Sequence, residues 1–108
     1  MALSERVESA NITGGKGVNE WKIANELVER RLAACVNIVP RIQSVYRWEG
    51  KVETSEEYLL LIKTTKTRGA GVQTAIREIH SYEMPECIVI SVEGGNAEYL
   101  KWIEDSVG

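Results

Sequence analysis

The run ACVNIVPRIQSVYRWEGKVETSEEYLLLIKTT, residues 34–65, predicts two long β-strands joined by a tight turn. Val, Ile and aromatic residues, which favour strands, fill its first half, and the apolar block YLLLI at 58–62 lies in its second half. Residues 49–51 supply the turn. Pro40 has no N–H to donate to a neighbouring strand, so the first strand is predicted to lie at a sheet edge or to contain a bulge. The run therefore predicts a long β-hairpin.

Amphipathic helices are predicted on both sides of this hairpin. The first covers residues 19–32, the second begins at Thr67 and ends near His80, and a short third helix follows Asn96. Each contains apolar residues at the spacing of one helix face, which favours packing against a sheet. The predicted apolar positions are Trp21, Ala24, Leu27, Val28 and Leu32 in the first helix, Val72, Ala75, Ile76 and Ile79 in the second, and Tyr99, Leu100 and Ile103 in the third.

Two shorter strands complete the pattern. Residues 5–13 alternate only weakly, with Val7 and Ile12 as their large apolar members, whereas the run CIVISV at 87–92 is a strong strand signal. The order is β-α-β-β-α-β with a terminal helix, which indicates an α+β, ferredoxin-like sandwich with a long hairpin between its second and third strands. We expect a single domain over residues 1–108, a 4-1-3-2 strand order and helices on one face of the sheet.

The two cysteines are predicted to remain reduced. Cys35 and Cys87 fall on the second and fourth strands, at opposite edges of that sheet and about 14 Å apart across it. A disulfide needs Cα atoms within about 7 Å. We expect both thiols to act as small apolar members of the core, and such cysteine use is typical of a reducing compartment.

Composition and charge argue against several classes of protein. The net charge of −3 includes 13 basic residues that form no Lys/Arg stripe, so no nucleic-acid partner is expected. No apolar run approaches the ~20 residues that span a bilayer, so no membrane association is expected. The N-terminus lacks the apolar core of a signal peptide, and we expect a cytoplasmic location. One histidine without a paired nucleophile leaves no recognisable catalytic constellation, so we do not expect an enzyme.

The predicted hairpin is too long for the helices that cover it. A strand of about fifteen residues extends about 50 Å, whereas a helix of about fourteen residues covers about 21 Å. The overhang carries Tyr46, Trp48 and an unpaired strand edge, which association with identical chains would bury. The alternative is a bent hairpin that folds back over its own sheet at Pro40. The sequence favours a symmetric oligomer.

Several short motifs occur in one order along most of the chain. They are ERRLAACVN at 29–37, SVYRWEGK at 44–51, IKT at 62–64, HSYEMPE at 80–86 and GGN at 94–96, followed by Tyr99, Leu100 and Trp102. Together they resemble the CutA family of divalent-cation tolerance proteins over residues 28–107. The resemblance implies a homotrimer of ferredoxin-like subunits whose long hairpins interlock, and an association with copper or another divalent cation, weakly bound.

The first strand departs from that family's pattern. Residues 8–15 are polar and rich in glycine where the family has a strong apolar run. Some members carry a cysteine in this strand that is proposed as a metal ligand, and the spacing from Cys35 puts Ile12 or a neighbour there. That ligand is absent from this chain. Ser81 also stands where the family usually has a proline.

The candidate metal ligands lie in the turn after the second helix. His80 is the only histidine, and Tyr82 and Glu86 follow it closely. Imidazole and carboxylate groups suit Cu²⁺ or Zn²⁺, so His80 and Glu86 are the candidate ligands, and a neighbouring subunit would have to add others for tight binding. The alternative role of His80 is to satisfy the last carbonyls of the second helix.

Aromatic and basic residues indicate a cleft or an interface between subunits. The candidates are Tyr46, Trp48, Lys63, Tyr82 and Trp102, although interface packing explains the aromatic residues equally well. Two functions therefore remain open. The first is a trimer that binds or buffers a divalent cation near the histidine. The second is a signalling or scaffold trimer, similar to PII proteins, that binds a small ligand or a partner protein in its clefts.

Overall fold

The computed structural model describes residues 5–13, 20–79 and 86–108, with the backbone alone for 5–13 and 86–88. Strands and helices follow one another in the predicted order. They are β1 Glu5–Thr13, α1 Glu20–Glu29, β2 Cys35–Trp48, β3 Lys51–Thr65, a 3₁₀ turn Lys66–Arg68, α2 Gly69–Ile79, β4 Glu86–Ser91 and α3 Ala97–Ser106. The α+β class predicted from the sequence is confirmed.

The described strands form one antiparallel sheet in the order β2-β3-β1-β4. This is the predicted 4-1-3-2 order, counted from the other edge. β2 and β4 occupy opposite edges, so the strands that carry Cys35 and Cys87 are not neighbours, and Cys35 is a free thiol. The predicted edge position of the strand that contains Pro40 is confirmed.

β1 lies in the middle of the sheet although its sequence is the weakest strand signal in the chain. Its backbone pairs with β3 from Glu5 to Thr13 and with β4 from Arg6 to Asn11. Both neighbouring strands are rich in Ile, Leu and Val. Ladder hydrogen bonds come from the backbone whatever the side chains, so pairing on both sides produces a central strand that propensity predicts only weakly.

The β2–β3 hairpin contains the predicted bulge. The register shifts between Val39 and Ile42, where Pro40 and Arg41 interrupt the ladder and Arg41 adopts a φ of 60°. At the other end, the turn residues 49 and 50 have φ values of 48° and 78°. Two successive positive φ values are typical of a type I′ turn, whose twist matches that of the flanking strands.

The core lies between one sheet face and helices α1 and α2. Leu60 and Ile62 of β3 are fully buried there, since alternate residues of a strand share a face. The buried cluster comprises Ile23, Leu27, Ala33, Leu60, Ile62, Val72, Ala75 and Ile76. The predicted stripe of α2 is confirmed, but Trp21 and Val28 of the predicted α1 stripe are 66% and 43% exposed. Ile23 takes the core position instead, one helical turn before the buried Leu27.

A two-stranded arm extends beyond the rest of the sheet. β1 pairs with β3 only as far as Glu57, so residues 43–56, which we call the arm, have no third strand beside them among the described residues. The chain measures 47 × 25 × 21 Å. Val45 and Val52 of the arm are 71% and 65% exposed. A hairpin that folded back over its own sheet would bury them, so that alternative is wrong.

α3 begins at the predicted cap. Asn96 Oδ1 accepts hydrogen bonds from the N–H groups of Glu98 and Tyr99 at 2.9 and 3.1 Å. Near its other end, the Arg31 side chain donates to the Asp105 carbonyl oxygen at 3.1 Å, which ties α3 to the loop after α1. No helix among the described residues is long and apolar enough to span a membrane.

The prediction that the helices share one sheet face is right for α1 and α2 but wrong for α3. Lys63 follows the buried Ile62 in β3 and therefore points to the opposite face. Its Nζ contacts Tyr99 of α3. The third helix thus reaches the face that α1 and α2 leave open.

Candidate functional site

Of the two candidate metal ligands, the structure describes only the backbone of Glu86. His80 and Tyr82 fall outside the described residues, and Glu86 is the first residue of β4, described by its backbone alone. Glu86 pairs with Asn11 of β1. Within the described part of the chain, no group of three His, Cys, Asp or Glu side chains could hold a metal ion. The role of His80 and Glu86 as ligands stays a prediction.

Lys63 takes part in a polar and aromatic cluster on the open sheet face. Its Nζ donates a hydrogen bond to the Tyr99 hydroxyl at 3.1 Å and lies 5.5 Å from the centroid of that ring. Tyr99 stacks on Trp102, with centroids 5.6 Å apart and ring planes at 25°. Residues three apart on a helix share a face, so α3 presents both rings together. We call Lys63, Tyr99 and Trp102 the Lys63 cluster.

The electrostatics of the Lys63 cluster are those of a fixed cation beside aromatic faces. Tyr99 and Trp102 are 42% and 47% exposed, and Lys63 is half-buried. The hydrogen bond to Tyr99 raises the pKa of Lys63 above its ordinary value, against the opposing effect of partial burial. Lys63 is therefore charged at neutral pH. An ammonium next to exposed rings suits an anionic group or a π-rich ligand.

Cys35 lies beside this cluster and is not the fully buried residue that we expected. It is a half-buried free thiol, and it pairs with Lys63 across the β2–β3 ladder. Odd-numbered positions at this end of β2 share the open face with Lys63, whereas Val36 packs against the core. A neighbouring ammonium repels a metal cation, so this environment does not favour Cys35 as a ligand.

The two other cleft candidates that the structure describes lie at the far end of the chain. Tyr46 and Trp48 are 39% and 53% exposed and pair with residues of β3 near the tip of the arm. At the strand rise of about 3.3 Å per residue, their partners on β3 lie about 33 and about 40 Å from Lys63. One subunit therefore brings Lys63 and Trp102 together but keeps both arm residues apart from them. A cleft that contains all four requires a second chain.

Tyr99 joins Lys63 to Trp102, yet no motif marks it as a site residue. In the sequence it belongs to the apolar stripe of the third helix. The available signal is its spacing of three from Trp102, which sets two large rings side by side on one helix face. Contact with Lys63, by contrast, depends on where α3 docks, and local sequence does not specify that.

Fold and site together define a class of protein. It is a small α+β protein with an antiparallel sheet, a protruding two-stranded arm and a lysine–aromatic cluster at the opposite end. A family model described as CutA1 divalent ion tolerance protein matches residues 12–106. The chain belongs to the CutA1 family, and the resemblance found in the sequence is confirmed.

Individual relatives agree with this membership. "Protein CutA homolog" of Xenopus laevis is 48% identical over 105 residues, covering 97% of this chain and 70% of the relative. "Protein CutA, chloroplastic" of Arabidopsis thaliana is 46% identical over 85 residues, covering 79% of this chain and 47% of the relative. This chain therefore spans about half the length of the Arabidopsis protein that it matches.

Solved structures share the fold over nearly the whole chain. CutA1 from Oryza sativa superposes with a TM-score of 0.89 at 37% identity, covering 98% of this chain and 95% of that one. The "periplasmic divalent cation tolerance protein CutA" from Archaeoglobus fulgidus superposes with a TM-score of 0.88 at 35% identity, covering 96% of this chain and 99% of that one. The "PII-like protein CutA" from Nostoc sp. PCC 7120, in its apo form, superposes with a TM-score of 0.84 at 30% identity, covering 95% of this chain and 97% of that one.

The names of these relatives correct the expected cytoplasmic location. The Arabidopsis relative is named chloroplastic and the Archaeoglobus relative periplasmic. Cysteine use and the character of the first residues therefore do not fix the compartment in this family. The cytoplasmic expectation is overturned as an inference from the sequence.

Proposed function

We propose that the protein is a non-enzymatic homotrimer that takes part in tolerance of divalent cations, copper among them, and acts through surfaces at its subunit boundaries. The observation that carries the proposal is the arm, which leaves Val45, Trp48 and Val52 more than half exposed on a long strand pair. Each subunit is taken to have the full ferredoxin-like topology that its strand order supports.

The argument for assembly rests on two features of the arm. β2 is an edge strand, and an unpaired edge invites pairing with another chain unless something covers it. The arm also exposes apolar side chains on both of its faces, Val45 and Val52 on one and Tyr46 and Trp48 on the other, and exposed apolar surface of this kind is typical of an interaction surface. Closed symmetry with identical chains covers both, and the number three comes from the family resemblance.

The cation part of the proposal rests on the relatives and on the residues near β4. The matching family and the Archaeoglobus relative are named for divalent-cation tolerance. The described residues alone do not fit a metal ion, since they contain no cluster of ligands. His80 and Glu86 would therefore act with carboxylates of a neighbouring subunit, which explains why binding is expected to be weak.

Sedimentation velocity tests the assembly. We expect the wild-type chain to sediment as three copies at micromolar concentration. Trp48→Glu places a charge in the proposed interface and is expected to yield a single copy. Trp21→Glu is the matched control, because Trp21 is 66% exposed against 53% for Trp48 but lies on α1, and it should leave the mass unchanged. A wild-type monomer, or equal dissociation of both variants, would contradict the trimer.

Calorimetric titration with Cu²⁺ tests the cation role separately. We expect His80→Ala and Glu86→Gln each to weaken Cu²⁺ binding by about tenfold or more, since each removes one of few ligands. Glu98→Gln, an exposed carboxylate on α3, serves as the control and should bind as the wild type does. Unchanged affinity in the His80 variant would remove that residue from the site.

A second function is favoured by the Lys63 cluster. A fixed cation beside two exposed rings is suited to a small anionic ligand, and the Nostoc relative is named PII-like. In this reading the trimer signals or acts as a scaffold, with its ligand in a cleft between subunits. Melting-temperature shifts with ATP or small dicarboxylates, measured in EDTA, would favour it, provided that Lys63→Met abolishes them. The absence of any shift would leave the cation role as the better proposal.

A further inference from the structure

A groove opens where the 3₁₀ turn leads into α2, and no residue of the Lys63 cluster lines it. Its volume is about 440 Å³, within the range of small-molecule sites. The 3₁₀ turn runs directly into α2, since the residue that ends the turn, Gly69, has helical φ and ψ of −54° and −44°. The groove is lined by Thr65, Thr67, Arg68, Glu104, Val107 and Gly108.

The helix start at this groove lacks the usual stabilising groups. Thr65 occupies the N-cap position with extended φ and ψ, but its side chain makes no capping hydrogen bond. The first N–H groups of a helix have no partner within it, and the positive end of the dipole favours acidic neighbours. This first turn contains no acid and two bases, Lys66 and Arg68. α3 shows the ordinary arrangement, with Asn96 as cap and Glu98 in the first turn.

The Thr65 hydroxyl is a buried polar group beside the groove. Thr65 is only 6% exposed and lines the groove, yet its hydroxyl makes no hydrogen bond with any residue that the structure describes. Its neighbour Thr64, also buried, donates to the Leu32 carbonyl oxygen. Buried polar groups are almost always paired, so an unpaired hydroxyl that faces a groove points to a ligand that supplies the missing partner.

The charges at the groove favour a negatively charged ligand. Arg68 makes no ion pair within the described part of the chain. Its guanidinium offers five N–H donors in a planar fork, which fits tetrahedral oxyanions. Glu104 is the one acidic side chain in the lining, and its single charge opposes an anion without cancelling both Arg68 and the helix dipole.

We propose that this groove binds a phosphate group, free or as the monoester of a small molecule, held by Arg68, the Thr65 and Thr67 hydroxyls and the N–H groups that begin the helix. The volume exceeds that of a phosphate ion, so the groove has room for the organic part of a monoester. Helix N-termini with an added basic side chain are established phosphate-binding geometry in proteins. The proposal uses none of the residues assigned above to the trimer contact or to the cation site.

Titration with inorganic phosphate and with glycerol phosphate tests the site. Binding to the full chain is measured by calorimetry and by melting temperature in EDTA, against sodium chloride at matched ionic strength. Arg68→Gln should weaken phosphate binding at least tenfold, and Glu104→Gln should strengthen it several-fold. Thr65→Val should keep or raise the melting temperature without phosphate, because it removes an unpaired buried hydroxyl, and should lose most of the phosphate-dependent rise.

The matched control is Arg77→Gln, an exposed arginine in the last turn of α2, which should bind phosphate as the wild type does. Equal affinity for both ligands assigns the site to the phosphate group itself, and tighter binding of the monoester assigns part of it to the organic moiety. The proposal is overturned if phosphate acts no differently from chloride in both the wild type and Glu104→Gln. Equal weakening by Arg68→Gln and Arg77→Gln also overturns it, since binding would then follow net charge alone.

Discussion

β3 passes through two environments within one strand. At its C-terminal end, Leu60 and Ile62 are fully buried beneath α1 and α2. At its N-terminal end, Val52 is 65% exposed in the arm, and none of the first four residues is buried. Both halves pair antiparallel with β2, one on each side of the bulge. The C-terminal half of β3 thus completes a core within one chain, whereas the half in the arm leaves its apolar side chains exposed.

The largest expected effect comes from the buried half of this strand. Leu60→Ala removes a fully buried side chain and is expected to lower the free energy of unfolding by about 2–5 kcal/mol. Val52→Ala in the arm is the control, with an expected change within about 0.5 kcal/mol at concentrations where the chains are separate. Urea denaturation measures both, and similar losses at high dilution would refute the division of β3 into two environments.

A buried hydrogen bond gives the next largest effect. Thr64 is fully buried and donates to the Leu32 carbonyl oxygen. Thr64→Val keeps the shape but leaves that carbonyl unpaired, so we expect a loss of about 1–3 kcal/mol. Thr54→Val makes the same change on the exposed arm and should be nearly neutral in urea denaturation. A neutral Thr64→Val would mean that water replaces the lost donor.

Removing the N-cap of α3 tests whether this helix unfolds together with the sheet and its core. Asn96→Ala removes the oxygen that accepts from two N–H groups, and we expect a loss of about 1 kcal/mol in global unfolding. Asn25→Ala, inside α1 and exposed, is the control and should be neutral or slightly stabilising, because alanine is the better helix former. If hydrogen exchange showed that only α3 opens more easily, this helix would be a separate, weaker unit.

The smallest expected effect concerns the charge of Lys63, which depends on its hydrogen bond to Tyr99. Because the hydrogen bond to Tyr99 raises the pKa of Lys63, the stabilisation that this hydrogen bond provides is complete below the ordinary lysine pKa of 10.5. It is lost as the pH rises through the raised value. Tyr99→Phe should lower the pKa of Lys63, as followed by the ¹³Cε shift of its side chain, and Tyr46→Phe on the arm should not. An unchanged Lys63 pKa in Tyr99→Phe would show that this hydrogen bond is not its cause.

Features set by local chemistry are those that the sequence predicted well. Pro40 cannot donate to a ladder, and it lies at the bulge of an edge strand. Asn96 is a good cap, and α3 begins there. The positive φ values of Glu49 and Gly50 follow from the short connection between two strands. In each case one residue or one connection determines the conformation almost alone.

Features that depend on docking were predicted less well. α1 has apolar residues on more than one side, and only packing selects Ile23 over Trp21 for the core. The contact of Lys63 with Tyr99 joins distant parts of the chain and follows from the position of α3. Among the described cleft candidates, Lys63 and Trp102 lie at one end of the chain and Tyr46 and Trp48 at the other. A cleft that contained all four would need a second chain. His80, Tyr82 and Glu86 remain predictions.

The place of β1 in the sheet has a consequence for how the protein is made. Glu5 pairs with Thr65 and Arg6 with Ser91, so β1 leaves the ribosome well before both of the strands that flank it in the sheet. During translation β1 must stay unpaired while most of the chain is added. Its sequence, ERVESANIT, offers little apolar surface to other nascent chains. The polar composition that makes β1 a weak strand signal thereby keeps it soluble until its partners exist.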